Sequence, residues 1–96
     1  MITIDVSFIS LKKIVPAVIG LVRKGGHVIA LIKPQFEVGR YNVGKGGIVK
    51  DDNRIKAVVK DIREFGEGLG LKALDIIEAP REKERKNREY LIIWEK

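Results

Sequence analysis

The chain has 96 residues, 45% of them hydrophobic, which is enough for one small domain with a core of its own and too little for two. Nineteen Lys and Arg against thirteen Asp and Glu leave a formal charge of +6, a balance that favours polyanionic partners such as nucleic acid. With no Cys and a single His, disulfides, thiolate zinc sites and histidine metal clusters are excluded, so no metal is expected. The longest apolar stretch, residues 14–22, contains Pro16 and Gly20 and stops at Arg23, far short of the roughly 20 residues of a membrane-spanning helix. No signal-peptide pattern follows Met1, and the expectation is a cytoplasmic protein.

Residues 2–8 predict a strand, rich in β-branched and aromatic side chains, after which Ser10 offers a helix N-cap. Leu11, Ile14, Val15, Val18, Ile19 and Val22 recur at spacings of three and four, which predicts a helix over 11–24 stopped by Gly25 and Gly26. Pro16 falls in its first two turns, where a missing N–H costs least. The run 27–33, HVIALIK, is continuously apolar up to its last residue and is bounded by glycines and Pro34; such runs are strands buried on both faces of a parallel sheet.

Residues 34–49 are rich in Gly, Pro and Asn and predict a long irregular loop, a kind that in compact domains usually carries function. Asp51, Asp52 and Asn53 cap a second helix that runs to about 66–69, with Ile55, Val58, Val59, Ile62 and Phe65 on one stripe. Residues 71–79 predict a third strand, 80–88 a basic loop, and 89–95 a fourth strand antiparallel to its neighbour. The order is β-α-β-α-β-β, an α/β fold with a mixed sheet. Its first strand, apolar on both sides of the pleat, calls for neighbours on each edge, so the sheet reads as part of a larger one.

Within the loop, 39–46 match the P-loop pattern through Lys45 but place Gly46 where a Ser or Thr must ligate Mg²⁺, and no strand leads into Gly39. The glycine loop is therefore read as a flexible basic segment. Arg40, Lys45, Lys50 and, before the last strand, Arg88 are candidate contacts to RNA phosphates; the bland alternative is a solvated loop. Three charges fall where strand ends meet: Asp5, Lys33 and Glu89. In parallel α/β sheets, ligands gather at the carboxyl ends of strands, and an antiparallel last strand brings its first residue to that same edge. A Lys held between carboxylates can orient a substrate hydroxyl or relay its proton.

The segments at 5–10 (DVSFIS), 32–39 (IKPQFEVG), 43–47 (VGKGG) and 87–90 (NREY) resemble, in order, signatures of the TlyA group, haemolysin-like proteins built on the FtsJ-like RNA methyltransferase fold. The resemblance runs from about residue 4 to 95. It implies a Rossmann-like methyltransferase domain represented by its strands four to seven, with sheet order four, five, seven, six. It implies S-adenosyl-L-methionine as the methyl donor, rRNA ribose as substrate, and a Lys-Asp-Lys-Glu tetrad whose last three members are Asp5, Lys33 and Glu89. The first Lys, the cofactor-binding half and an S4-like RNA-binding domain have no counterpart in these residues, so the chain alone is expected to be inactive and to self-associate through its first strand. The rival reading is a noncatalytic RNA-binding module. A membrane-lytic role finds no basic amphipathic helix to support it.

Overall fold

A computed structural model describes residues 1–6, 9–38, 49, 51–80 and 87–96. Among these residues four strands and two α-helices follow in the order β1 (Ile2–Ile4), α1 (Leu11–Val18), β2 (His27–Ile32), α2 (Asp52–Gly68), β3 (Lys72–Glu78) and β4 (Tyr90–Glu95). The strands form one sheet in the order β1-β2-β4-β3, with β1 parallel to β2 and β4 antiparallel to both its neighbours. This is the mixed α/β architecture expected, with the last strand inserted between β2 and β3.

Alternation along the strands sorts the core. Val28, Ala30 and Ile32 of β2 and Ile92 and Trp94 of β4 are fully buried and share one face, with Val15 of α1 and Ile62 of α2 in the same cluster. Ile29, Leu31, Leu91 and Ile93 point the other way, in register as Ile29↔Ile93 and Leu31↔Leu91, and are half-buried. A bulge between Ala73 and Asp75 shifts β3, and Leu74 and Ile77 are exposed.

Each helix begins on a side-chain cap that the sequence announces. Ser10 Oγ accepts from the Lys12 N–H at the start of α1, and Asp51 Oδ1 accepts from the Asn53 and Arg54 N–H groups at the start of α2. The first helix is shorter than its apolar periodicity predicts. It gives way after Val18 to a 3₁₀ turn, Ile19–Leu21. Pro16 lacks the N–H that would tie this helix back to Lys12, and Gly20 is a poor helix former. The loosened end is held instead by the last residue of the chain, whose Lys96 Nζ donates to the carbonyls of Ile19 and Val22, both at 2.9 Å.

The second helix ends at a left-handed glycine, Gly70, with φ of 91°. Gly66 has a different duty. A Cβ there would lie 2.5 Å from Trp94, so the helix can lie flat on the indole only where it carries no side chain.

Candidate active site

Parallel pairing of β1 and β2 brings their carboxyl ends to one edge, and both chains leave that edge through a charged residue: Asp5 directly after β1, Lys33 directly after β2. The Lys33 Nζ lies 2.5 Å from Asp5 Oδ1. The side chain of Lys33 is 13% exposed and that of Asp5 65%, so a shielded cation is tied to a carboxylate that faces water. Extending the antiparallel register one step beyond Ile32↔Tyr90 sets Glu89 across from Lys33. Gln35 Nε2 donates to Glu89 Oε2 at 3.5 Å, connecting the segment after β2 to the start of β4.

Lys33 is fixed by its own chain. Its backbone is extended (φ −112°, ψ 96°), and its carbonyl accepts from the Phe36 N–H at 2.9 Å, closing a 3₁₀ turn over Pro34–Phe36. Pro34, fully buried, sets the φ of the turn's first residue. Behind the turn comes a clamp. Glu37 accepts from Ser10 Oγ through Oε2 and from the Leu11 N–H through Oε1, both at 2.7 Å. A carboxylate at a helix N-terminus meets both unpaired N–H groups and the positive end of the helix dipole. Glu37 thereby bolts the segment that follows Lys33 to the segment that follows Asp5.

Of the expected phosphate contacts, Arg40, Lys45 and Lys50 lie outside the described residues. Arg88 is described, and its Nη2 pairs with Asp52 Oδ1 in the first turn of α2. Next to it, Asn87 Oδ1 accepts from the Val49 N–H at 2.7 Å, anchoring the approach to α2 on the start of β4. Sequence reasoning named Asp5, Lys33 and Glu89 but gave no role to Glu37, Gln35 or Asn87. All three lie inside the quoted motif segments, which is the signal that could have found them.

These groups suit a hydroxyl-bearing substrate. The connection from β1 to the Ser10 cap of α1 carries no glycine, the residue that a strand-to-helix phosphate or nucleoside loop uses for close backbone approach. Among the described residues no group of three or more His, Asp or Glu is placed to hold a metal ion, and no helix is long and apolar enough to cross a membrane.

Comparison with known proteins agrees with this fold. The family model of the FtsJ-like methyltransferases matches residues 1–96. The chain is 40% identical over 74 residues to the 16S/23S rRNA (cytidine-2'-O)-methyltransferase TlyA of Mycobacterium tuberculosis, covering 72% of this chain and 28% of that protein. It is 36% identical over 87 residues to Hemolysin A of Brachyspira hyodysenteriae, covering 91% and 36%. A crystal structure of a "putative hemolysin" from Lactococcus lactis superposes with a TM-score of 0.89 at 36% identity, over 97% of this chain and 44% of that one. The chain thus spans about a third of the length of these curated relatives. A match over its whole length, joined to the predicted strand order, shows that the chain belongs to the FtsJ-like methyltransferase family.

Proposed function

We propose that this chain is the part of an rRNA ribose 2'-O-methyltransferase that receives the nucleophile, with residues 1–96 forming strands four to seven of the methyltransferase domain. The observation that carries this reading is the Lys33–Asp5 pair, a shielded ammonium anchored at 2.5 Å where two parallel strands end. A ribose 2'-hydroxyl is a weak nucleophile until its proton is drawn away and its lone pair is aimed. In this reading the Lys33 ammonium donates to the 2'-oxygen and fixes its direction. Asp5 keeps the ammonium from swinging into solvent. Glu89, steadied by Gln35, accepts the proton that the hydroxyl gives up as the oxygen–carbon bond forms.

When bound, S-adenosyl-L-methionine supplies an already activated methyl group, so in-line positioning carries much of the catalysis. We place its binding on parts of the protein other than these 96 residues, together with the first Lys of the tetrad. Arg40, Lys45, Lys50 and Arg88 are assigned to rRNA phosphates; Arg88 has donors beyond the one that engages Asp52. TlyA of M. tuberculosis bears the name of an enzyme acting on cytidine in 16S and 23S rRNA, which supports the same substrate class here.

The test is methyl transfer to ribosomal RNA by the intact methyltransferase and its Lys33→Ala variant. The expected loss is on the order of 10²- to 10⁴-fold in rate, the usual contribution of a positioned proton-handling group, with donor affinity unchanged. A fully active variant removes Lys33 from the chemistry.

A further inference from the structure

Beside the catalytic edge, between α2 and the sheet, lies a cavity of about 400 Å³ that the mechanism above does not use. Its floor is apolar, made by Ile55 and Val59 of α2, Ile76 of β3 and Tyr90 of β4. Its rim is cationic. Lys56, Lys60 and Arg63 stand along one side of α2, and Glu78 at the end of β3 is the one acidic residue among the described lining. Lys60 and Arg63 reach Glu64 and Glu67 at 4.0 and 3.6 Å, but these are solvent-exposed pairs that an incoming anion can compete with.

The volume falls in the range of small-ligand pockets, roughly 300–1,000 Å³. Inorganic phosphate would satisfy the rim and leave the floor bare, and an aliphatic chain would satisfy the floor and make no use of the cationic rim. A nucleotide uses both, with its base on Tyr90 and the aliphatic floor and its phosphates on the rim. Position points the same way. Tyr90 follows Glu89 in the chain and pairs with Ile32, the residue before Lys33. The cavity therefore opens about one strand spacing, roughly 4.8 Å, from the strand that presents Lys33.

We propose that this cavity binds a nucleotide of the RNA strand flanking the one presented to Lys33 and Asp5. The inference rests on the RNA methyltransferase reading above and adds to it a second base-holding site, built by α2, β3 and β4. It also gives the chain a way to fix which nucleotide reaches the reactive edge, because a base seated here sets the register of its neighbour.

The experiment titrates the 96-residue chain with a single-stranded oligoribonucleotide, with inorganic polyphosphate and with an acidic peptide, by fluorescence anisotropy over a range of salt. Lys56→Ala with Lys60→Ala should lower the salt slope for the oligoribonucleotide by about 1.4, at roughly 0.7 per single-strand phosphate contact. Val59→Phe, which fills the cavity, should weaken the oligoribonucleotide about 5-fold or more, the low end of one stacked base, and leave polyphosphate unaffected. Methyl resonances of Ile55 and Ile76 in the unaltered chain should shift with the oligoribonucleotide and not with polyphosphate, a readout that does not depend on any variant folding. Salt-dependent RNA binding that ignores all three changes overturns the cavity and leaves the RNA reading standing. Failure of the unaltered chain to bind RNA at all overturns both. An acidic peptide that binds more tightly and shifts the same methyls overturns the nucleotide in favour of a protein partner.

Discussion

Glu37 and Gly66 show how much two side-chain decisions can rest on distant partners. Replacing Glu37 by Ala removes two hydrogen bonds to a charged acceptor, each at 2.7 Å, and should cost about 1.5–3 kcal/mol. Chemical denaturation reads this as a lower midpoint, and Glu37→Gln should fall between, since its amide oxygen still accepts from the Leu11 N–H. For Gly66 two principles oppose each other. Alanine is favoured over glycine inside a helix by about 1 kcal/mol, yet the new methyl would sit 2.5 Å from the ring of Trp94, and overpacking of a tight core costs about 1–3 kcal/mol. Trp94 is fully buried, so Gly66→Ala should destabilise, again measured by denaturation. Neither residue was legible beforehand. Glycine near a helix end reads as a stop, and a carboxylate that caps a helix 26 residues earlier in the chain leaves no periodicity to detect.

The elements themselves were largely legible, because strand alternation, continuous apolar runs and caps are local signals. Ser10 and Asp51 cap where the sequence places caps, and the strand order follows from the resemblance together with a short antiparallel connection. The first helix ends at Val18, short of the 11–24 that its apolar spacing predicts, since that spacing persists through Val22 while Pro16 and Gly20 undo the backbone. The first strand, predicted over 2–8, is three residues long, with residues 7 and 8 outside those described. In the described sheet β1 is an edge, paired only with β2, with Ile4 buried in the core and Ile2 half-buried. The backbone groups on the outer side of an edge strand recruit further strands. The isolated chain should therefore associate with rising concentration, seen by light scattering, and a monomer at high concentration with β1 unpaired on its outer side would contradict this.

At the scale of the molecule, the helices cover one face of the sheet, and Ile29, Leu31, Leu91, Ile93 and Ile77 remain on the other, from half-buried to exposed. The proposed site divides in the same manner: the groups assigned to the nucleophile lie at the ends of β1 and β2, and the methyl donor is placed on other parts of the protein. The 96-residue chain should accordingly show no heat of binding with S-adenosyl-L-methionine in calorimetry and no methyl transfer to RNA. Tight binding by this chain alone would overturn the division of labour proposed here.

Trp94 is the only tryptophan in the chain. Its indole is wholly buried at the junction of β4 with α2, and its Nε1–H has no hydrogen-bond partner among the described residues. An indole in that setting emits at short wavelength, and its emission moves to the red once water reaches the ring. One intrinsic fluorophore, touching both layers, thus reports whether the helix still lies on the sheet, and it needs no label to follow the chain as it folds.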